Sequence, residues 1–266
     1  MALLELENVS KGYANGKSVT EVLSGVNLSI DEGELVAIVG SSGSGKSTLV
    51  SMVAGLIKPD SGSIRFRGAP VTGPGPDRGV VFQNYSLLPW MTVLENVQLA
   101  VDQVFPKLSK KERTAHAEKY IGMVGLAPAR DKKPSQLSGG MRQRVSVARA
   151  LAMEPEMLIL DEPLSALDAH TKAAVRLELH ELLRELRLPT ILVTHDFEDA
   201  AALADRVGVV VGGRILQEGT ADELVASPTD AFVASFTGAT ILQGTAAPAA
   251  NGLTEIVLDS GGVAWS

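Results

Sequence analysis

Glycine, serine and lysine residues cluster between residues 40 and 48 in an order that suits phosphate binding. The run GSSGSGKST fits the pattern G-x-x-x-x-G-K-[ST], with the apolar segment LVAIVG before it and the helix-compatible segment STLVSMVAG overlapping its end. Because Gly43 and Gly45 lack a Cβ, backbone N–H groups there can turn toward an anion, and Lys46 adds a positive charge. The pattern predicts that nucleotide phosphates are bound by Gly40, Ser41, Ser42, Gly43, Ser44, Gly45, Lys46, Ser47 and Thr48, with the Ser47 hydroxyl also a ligand of Mg²⁺.

Two adjacent acids, Asp161 and Glu162, lie at the end of the apolar run MLILDEP, residues 157–163. Neighbouring residues of a strand face opposite sides, so the two carboxylates are expected to have different roles. We expect Asp161 to hold Mg²⁺ through water and Glu162 to polarise the water that attacks the nucleotide. An acidic pair at a strand end is by itself more often a solvated turn, but the phosphate-binding pattern favours the catalytic interpretation.

Composition limits the classes of ligand. The 266-residue chain has 24 Lys and Arg against 31 Asp and Glu, a formal charge of −7, which predicts no nucleic-acid partner. It has no cysteine, which excludes disulfides, thiol catalysis and thiolate metal sites. The N-terminal run MALLELENVS has no signal-peptide pattern, and no window of eighteen residues is uniformly apolar, so we expect a soluble chain.

Apolar runs bounded by turn residues predict the elements that position these side chains. Buried strands are expected at 35–40, 79–83, 157–163, 190–196 and 206–211. A helix is expected over 171–187, with one apolar face made by Val175, Leu179, Leu182, Leu183 and Leu186. The alternation of strands and helices predicts an α/β fold with a mainly parallel, doubly wound sheet.

Three regions depart from this alternation. Segments 5–13 and 22–30 indicate an antiparallel β addition at the N-terminus, and 207–219 indicates a hairpin that turns at Gly212 and Gly213. Residues 84–155 are mostly helical and predict a subdomain inserted between core strands; its basic run 107–113 is interpreted as a solvated helix face. The histidines at 116, 170 and 180 lack metal-ligand spacing and are expected at the surface.

The motifs together resemble one known family. The segment QLSGGMRQRVSVARALAMEP at 136–155, SALD at 165–168 and the histidine that ends TILVTH at 190–195 are similar to the ATP-binding cassette of ABC transporters, over residues 3–236. LSGGM at 137–141 matches the signature motif of that family without substitution. The resemblance implies a P-loop NTPase (RecA-like) fold. It implies an ABC ATPase domain at 1–236, with its core at 1–84 and 156–236 and its helical subdomain at 85–155. Residues 237–266 form a short β-type extension, similar to the start of an incomplete accessory β domain.

The resemblance also implies ligands and roles. ATP and Mg²⁺ would lie between two subunits in a head-to-tail dimer, held by loop 40–48 of one and by Ser138, Gly139 and Gly140 of the other. The second ABC ATPase subunit can be identical or different. Tyr13 would stack on adenine. Without the resemblance, a half-exposed tyrosine that only packs against its neighbours is an equally good interpretation. Glu162, His195 and Gln83 are implied as catalytic, with Gln83 also a ligand of Mg²⁺, and Asp168 would couple the two sites of the dimer.

The spacing of the motifs narrows the class of ABC protein. Only about fifty residues separate Gln83 from Leu137, too few for the long coiled coil of repair and chromosome-architecture members, and the chain has one cassette where translation members have two. A prokaryotic importer ATPase remains, with its integral membrane permease on other chains. The apolar residues Leu87, Leu88, Trp90 and Met91 are predicted to dock on that permease; a core element of the helical subdomain is the alternative.

The segments 81–97 and 131–155 resemble most the ATPases of nitrate, sulfonate and taurine importers. The expected function is to power import of a small oxyanion such as nitrate, or of sulfonates, from the cytoplasmic face of the inner membrane. A solute-binding protein would be an indirect partner. Two alternatives stay open: an importer ATPase for sulfate, molybdate, iron or polyamines, whose cassettes carry accessory β domains, and a soluble ATP-binding regulatory module.

Overall fold

The computed structural model describes residues 2–16, 18–239, 244–248, 254–258, 261 and 263–265. The chain divides into two compact units, 1–221 and 222–266. The strands are β1 (Leu4–Asn15), β2 (Ser18–Ile30), β3 (Leu35–Val39), β4 (Ser61–Phe66), β5 (Ala69–Pro70), β6 (Arg78–Val81), β7 (Met157–Asp161), β8 (Thr190–Thr194), β9 (Arg206–Val211), β10 (Arg214–Gly219), β11 (Gly244–Pro248), β12 (Thr254–Leu258) and β13 (Val263–Trp265). The α-helices are α1 (Lys46–Val53), α2 (Val93–Val104), α3 (Lys110–Met123), α4 (Gly139–Leu151), α5 (Ala169–Leu186), α6 (Phe197–Leu203), α7 (Ala221–Ala226) and α8 (Ala231–Thr237).

The central sheet of the first unit has six strands in the order β10-β9-β3-β8-β7-β6. All pairs are parallel except β9 with β10. Every residue of β3, β7 and β8 is buried, which explains why these strands are continuous apolar runs. This confirms the predicted α/β fold, although β7 and β8 each end two residues before the predicted limits. The residues beyond them, including Glu162 and His195, leave the strands at the carboxyl edge of the sheet.

The N-terminal strands form a second sheet in the order β2-β1-β4-β5, in which each pair is antiparallel. This confirms the predicted antiparallel addition. The β9–β10 hairpin turns at Gly212 and Gly213, which have φ of 53° and 77°, values that glycine adopts without a steric penalty. Helix α5 also follows the prediction: Val175, Leu179 and Leu183 are buried along one face.

Helices α2, α3 and α4 lie in the chain between β6 and β7, where the helical insertion was expected. Capping boxes begin α2, at Thr92 and Glu95, and α3, at Ser109 and Glu112, and satisfy backbone N–H groups at these ends. The expectation of a surface position is wrong for His116. Its ring lies between the rings of Phe105 and Tyr120, at centroid distances of 4.9 and 5.2 Å, and its Nε2 is 3.0 Å from the carbonyl oxygen of Ala152.

The second unit contains α8 and a three-stranded antiparallel sheet in the order β11-β12-β13. The strands β11, β12 and β13 lie within the segment 237–266 that was predicted as a β-type extension. Within the described part of the chain, no helix combines the length and the apolar character needed to cross a bilayer.

Candidate active site

The phosphate-binding pattern forms the loop between β3 and α1 at the carboxyl edge of the central sheet. Close approach of other backbone segments requires two of its glycines. A Cβ on Gly40 would lie 2.3 Å from the carbonyl oxygen of Val210, and one on Gly45 would lie 2.7 Å from that of Val22. Gly43 has open space around it but a φ of 79°, so its requirement is conformational. The sequence pattern therefore reflects both tight packing and the left-handed backbone of the loop.

Lys46 is the cation of this loop and is 6% exposed. Its Nζ donates hydrogen bonds to the carbonyl oxygens of Gly40 (2.8 Å) and Ser41 (3.0 Å). Burial lowers the pKa of Lys46, and the nearby charges of Glu162 and Asp161 oppose that shift. The ammonium group is therefore held against the loop, close to two acids. Because it is partly desolvated, its attraction for an anionic phosphate would be stronger than in water.

Ser47 and Asp161 bring two oxygen ligands together at the start of α1. The Ser47 hydroxyl donates to Asp161 Oδ1 over 3.4 Å. Burial, and secondarily the charge of Glu162, raise the pKa of Asp161, whereas the hydrogen bond from Ser47 and the charge of Lys46 oppose that shift. Over the described residues, no group of three or more His, Asp or Glu side chains could bind a metal alone. The site fits Mg²⁺, which commonly takes one or two protein oxygens and completes its shell with water and substrate phosphates.

Glu162 follows β7 in a left-handed conformation, with φ of 50°, which a non-glycine residue adopts at a cost of about 1–3 kcal/mol. Its N–H donates to the carbonyl oxygen of Val193 (2.8 Å), which holds that conformation. The carboxylate is 12% exposed, and its Oε2 lies 2.6 Å from Nδ1 of His195. The strained backbone and the histidine together fix where the carboxylate points.

Hydrogen bonds connect Gln83 to Glu162 through Ser165, a residue to which the sequence analysis gave no role. Gln83 Nε2 donates to Ser165 Oγ over 3.4 Å, and Ser165 Oγ donates to the carbonyl oxygen of Glu162 over 2.9 Å. Gln83 follows the edge strand β6, whereas Ser165 precedes α5. This chain of contacts links the loop after β6 to the acid at the end of β7.

These groups line one open cleft of about 610 Å³. Tyr13 does not line it: that side chain is 43% exposed, with Lys11 Nζ 5.8 Å from its ring centroid. The described lining residues are Val22, Ser42, Gly43, Gly45, Lys46, Ser47, Thr48, Gln83, Glu162 and His195. The cleft therefore combines a phosphate-binding loop with a candidate base, and the predicted metal ligand Asp161 contacts it through Ser47.

The LSGGM segment begins a different helix, α4. Ser138 is its N-cap, and its hydroxyl accepts a hydrogen bond from the N–H of Met141 (3.3 Å). A Cβ on Gly139 would lie 2.9 Å from Leu167 Cδ2, and one on Gly140 would lie 2.8 Å from Val175 Cγ2. These two glycines therefore allow α4 to pack closely on α5 and on the loop before it. Neither they nor Ser138 line the cleft described above.

Asp168 is the N-cap of α5. Its Oδ1 accepts a hydrogen bond from the N–H of Thr171 over 3.0 Å. The residue before it, Leu167, is the one that contacts Gly139. Asp168 thus fixes the start of α5 next to the start of α4.

The predicted docking cluster lies on a loop fixed by a residue that the sequence analysis missed. Asn96 is fully buried; its Oδ1 accepts from the N–H of Leu88 (2.8 Å), and its Nδ2 donates to the carbonyl oxygens of Leu88, Met91 and Thr92 (3.2, 3.2 and 2.9 Å). Trp90 is 65% exposed, whereas Leu87, Leu88 and Met91 are half-buried. The cluster is a constrained loop with an outward-facing tryptophan, unlike a core element.

Helix α4 holds the segment between Gln83 and that cluster. Tyr85 and Ser86 have φ of 55° and 49°. Arg149 donates to the carbonyl oxygens of Ser86 (2.5 Å) and Tyr85 (3.0 Å), and Ser146 Oγ also donates to that of Tyr85 (3.0 Å). The helix that begins with LSGGM therefore fixes the loop that leaves Gln83. The Thr92–Glu95 capping box was a sequence signal for the start of α2, but no spacing identified Asn96 or Arg149.

The chain is similar to known proteins of one family. The family model described as ABC transporter matches residues 23–165. The bicarbonate transport ATP-binding protein CmpD of Synechocystis sp. is 51% identical over 212 residues, which cover 80% of this chain and 75% of that protein. The nitrate import ATP-binding protein NrtD of Synechococcus elongatus is 45% identical over 210 residues, 79% of this chain and 77% of that protein.

Solved structures show the same fold. The post-hydrolysis dimer of the ATP-binding cassette MJ0796 with ADP and Pi aligns with a TM-score of 0.73 at 35% identity, covering 82% of this chain and 98% of that one. The structure of cbiO1 from Clostridium perfringens, part of the transporter complex cbiONQ, aligns with a TM-score of 0.75 at 32% identity, covering 85% of this chain and 91% of that one.

Proposed function

The chain belongs to the ABC transporter family and is an ATPase, and from this premise we propose that it powers an importer for a small oxyanion of the bicarbonate or nitrate type. The observation that carries the proposal is the cleft that joins the loop of Lys46 to the Glu162–His195 pair. The similarity to CmpD and NrtD supports the solute class, because both are named as ATP-binding proteins for transport of small oxyanions.

We expect the residues of loop 40–48 to bind the phosphates of ATP. Its backbone N–H groups and the N-terminus of α1 would attract the same phosphate, and the partly desolvated charge of Lys46 would add to that attraction. Ser47 and Asp161 would hold Mg²⁺, with Gln83 reaching toward it across the cleft. When bound, the ion neutralises charge that develops on the phosphate oxygens.

In the proposed hydrolysis, Glu162 accepts a proton from water as the water oxygen bonds to the γ-phosphorus. The bond from that phosphorus to the bridging oxygen breaks, and the electron pair leaves with ADP. His195 orients the carboxylate through its 2.6 Å contact and would also reach the γ-phosphate. Through its hydrogen bond to Ser165, Gln83 would couple a change at Glu162 on ATP hydrolysis to a change in the position of the loop after β6.

We further propose that the active unit is a head-to-tail dimer. Ser138, Gly139 and Gly140 do not line the cleft of their own chain, so a second subunit would supply them. Asp168 would couple the two ATP sites of the dimer, because it fixes the start of α5 beside the start of α4, where Ser138, Gly139 and Gly140 lie. The dimeric solved structure of the cassette MJ0796 supports this arrangement. Tyr13 would stack on adenine from the half-exposed end of the β1–β2 hairpin.

The docking cluster of Leu87, Leu88, Trp90 and Met91 is proposed to bind an integral permease at the cytoplasmic face of the membrane. An exposed tryptophan on a loop held by buried hydrogen bonds is a rigid apolar contact, which is typical of the centre of an interface. A solute-binding protein would deliver the oxyanion to that permease.

Uptake of labelled solute tests the proposal. A strain of the source organism that lacks this chain is complemented with the wild-type protein, with Trp90→Asp, or with Leu177→Asp. Leu177 is a matched control because it is similarly apolar and 60% exposed but lies on α5, outside the cluster. We expect the wild type and Leu177→Asp to restore uptake of labelled bicarbonate or nitrate, and Trp90→Asp to fail while its purified subunit hydrolyses ATP normally.

The competing solutes separate the remaining possibilities. If the wild-type chain restored uptake of labelled taurine, sulfate or molybdate but not of labelled bicarbonate or nitrate, the proposed solute class would be overturned. Normal uptake with Trp90→Asp would overturn the docking role, and normal uptake without the chain would favour the soluble regulatory module.

A further inference from the structure

Four charged side chains join α5 to α6, next to the turn that carries His195. Lys172, in the first turn of α5, binds two carboxylates: its Nζ contacts Asp196 Oδ2 and lies 2.8 Å from Asp199 Oδ2. Arg176 lies one turn further along α5, and its Nη1 is 3.1 Å from the other carboxylate oxygen of Asp199. Both cations therefore hold Asp199, and among the contacts of the described residues it is Lys172 that also holds Asp196.

These ion pairs are largely shielded from water. The carboxylate of Asp199 is buried, and Lys172 is mostly so. Burial acts to lower the pKa of Lys172, but its hydrogen bonds to Asp196 and Asp199 outweigh burial, so that pKa is raised. Burial likewise acts to raise the pKa of Asp196, and the contact with Lys172 outweighs it, so that pKa is lowered. Lys172 and Asp196 are both charged at neutral pH, and their attraction is stronger than that of a pair in water.

Asp196 uses its two carboxylate oxygens for different contacts. Its Oδ1 accepts a hydrogen bond from the N–H of Glu198 over 2.9 Å and caps α6, while its Oδ2 is held by Lys172. Its own N–H donates to Thr194 Oγ1, at the end of β8, over 3.1 Å. The backbone that leaves His195 is therefore tied to β8, α5 and α6.

The ring of His195 depends on this backbone for its position. The side chain is 59% exposed, so packing leaves it much of its rotamer freedom, yet its Nδ1 lies 2.6 Å from Oε2 of Glu162. A shift of the backbone by about 1 Å would break or misalign that contact, and a displacement of this size can slow an enzymatic reaction by about 10²-fold.

The same lysine adjoins the turn of Asp168. The N–H of Lys172 donates to the carbonyl oxygen of Asp168 over 2.8 Å, in the turn where Asp168 also accepts from the N–H of Thr171. The backbone of Lys172 is thus bonded to the turn proposed to couple the two ATP sites. Its side chain is bonded to the turn that holds His195.

We propose that Lys172 is a positioning residue for ATP hydrolysis: it holds Asp196 against the first turn of α5 and thereby keeps the ring of His195 in contact with Glu162. This inference rests on the roles proposed above for His195 and Glu162. The ion pair of Arg176 with Asp199 packs α6 on α5 without reaching Asp196, so its contribution is to stability.

Lys172→Met and Arg176→Met are a matched pair of variants. Each removes one cation from Asp199 and leaves the other, but Lys172→Met also frees Asp196. Steady-state ATPase assays of the full chain give kcat and KM, and urea unfolding gives the stability. We expect both variants to unfold at a similarly lowered urea concentration. Lys172→Met should lower kcat by about 10–100-fold and keep KM within about threefold, because loop 40–48 still binds the phosphates.

Arg176→Met should keep kcat within about threefold of the wild type. Lys172→Arg should restore most of the lost kcat, because a guanidinium offers donors to both carboxylates. In a His195→Ala background, Lys172→Met should lower kcat no further, because the group through which it acts is absent.

Histidine NMR reads the position of the ring directly and does not depend on turnover. The ring signals of His195, assigned by their loss in His195→Ala, should shift in Lys172→Met and stay in place in Arg176→Met. The signals of His116, in the helical insertion, should stay in place in both variants.

Several results would overturn the proposal. Equal falls of kcat in Lys172→Met and Arg176→Met would show that the whole network acts through stability. Unchanged kcat or unchanged His195 signals in Lys172→Met would show that the lysine does not position the ring. A further loss in the His195→Ala background would show that Lys172 acts elsewhere, such as through Asp168. Normal turnover in His195→Ala or Glu162→Gln is a separate failure, because it would refute the roles on which the inference rests.

Discussion

Replacing Asn96 with alanine tests how the loop that carries Trp90 is held. The side chain of Asn96 is fully buried and bonds to the backbone of Leu88, Met91 and Thr92. Two of these carbonyls have another described partner: Leu88 accepts from the N–H of Met91, and Thr92 from the N–H of Asn96. In Asn96→Ala, the N–H of Leu88 and the carbonyl of Met91 would therefore lose their hydrogen bond to Asn96 and keep no other partner described here.

Each such group costs about 1–3 kcal/mol when it stays buried and unpaired. Because the loop is half-buried and water can reach part of it, we expect Asn96→Ala to lower the free energy of unfolding by about 2–4 kcal/mol, below the full sum. Asn96→Asp has nearly the same shape but replaces both donors with a carboxylate that would face carbonyl oxygens. It should therefore be at least as damaging as alanine.

Urea unfolding of the full chain measures the loss, and hydrogen exchange over residues 87–92 shows whether it is local. Thr114→Val is the control: it removes a hydroxyl of the same helical region whose bonds, to Gln98 and Lys110, are less buried, so it should cost about 0.5–1.5 kcal/mol. Because Asn96 does not line the cleft, the isolated subunit should keep its ATPase activity within about twofold while solute uptake falls.

Two results would refute this reasoning. A loss below about 0.5 kcal/mol in Asn96→Ala would show that the buried bonds do not hold the loop. An ATPase activity that falls as far as uptake would show that Asn96 supports the cleft and not the docking cluster.

Three further predictions concern the cleft and the start of α4. Glu162→Gln removes the proposed base, so ATP hydrolysis should fall by about 10²–10⁴-fold while ATP binding persists and an ATP-bound dimer accumulates in size-exclusion chromatography; unchanged steady turnover would exclude that role. The pKa of Asp161 is raised in the folded chain above its ordinary value of 3.8. Between pH 3.8 and that raised pKa, the folded chain holds a proton that the unfolded chain has released, so the contribution of Asp161 to the free energy of unfolding falls as pH rises through this range. Asp161→Asn should therefore raise the melting temperature of the nucleotide-free chain at neutral pH and abolish Mg²⁺-dependent hydrolysis; an unchanged or lower melting temperature would contradict the sign. Gly140→Ala places a methyl 2.8 Å from Val175 Cγ2, so overpacking should cost about 1–3 kcal/mol. The double variant with Val175→Ala should lose less than the sum of the two single variants in urea unfolding, and strict additivity would show that the two residues are not in contact.

Local sequence patterns determined most of the fold and the chemical groups of the cleft. The runs that became β3, β7 and β8 are apolar throughout because these strands are buried on both faces, and this leaves a signal that needs no knowledge of their neighbours. Loop 40–48 was also predictable, because the order of its glycines, lysine and serine is itself the local sequence signal of a phosphate-binding loop. The contacts of Gly40 with Val210 and of Gly45 with Val22 are tertiary and were not part of that signal. The apolar residues of α5 recur at helical spacing because one face of that helix is buried, and this pattern is visible within the segment itself.

Tertiary structure alone decided which distant groups meet. Glu162 lies beside His195 because parallel strands end at the same edge of the sheet, and the sequence separation of the two residues carries no record of their 2.6 Å contact. Asn96 and Arg149 hold the backbone of loops elsewhere in the chain, and a bond to a backbone carbonyl imposes no pattern on the residue that supplies it. The expected surface position of His116 was wrong for a related reason: its environment comes from Phe105, Tyr120 and the end of α4, which only folding brings together.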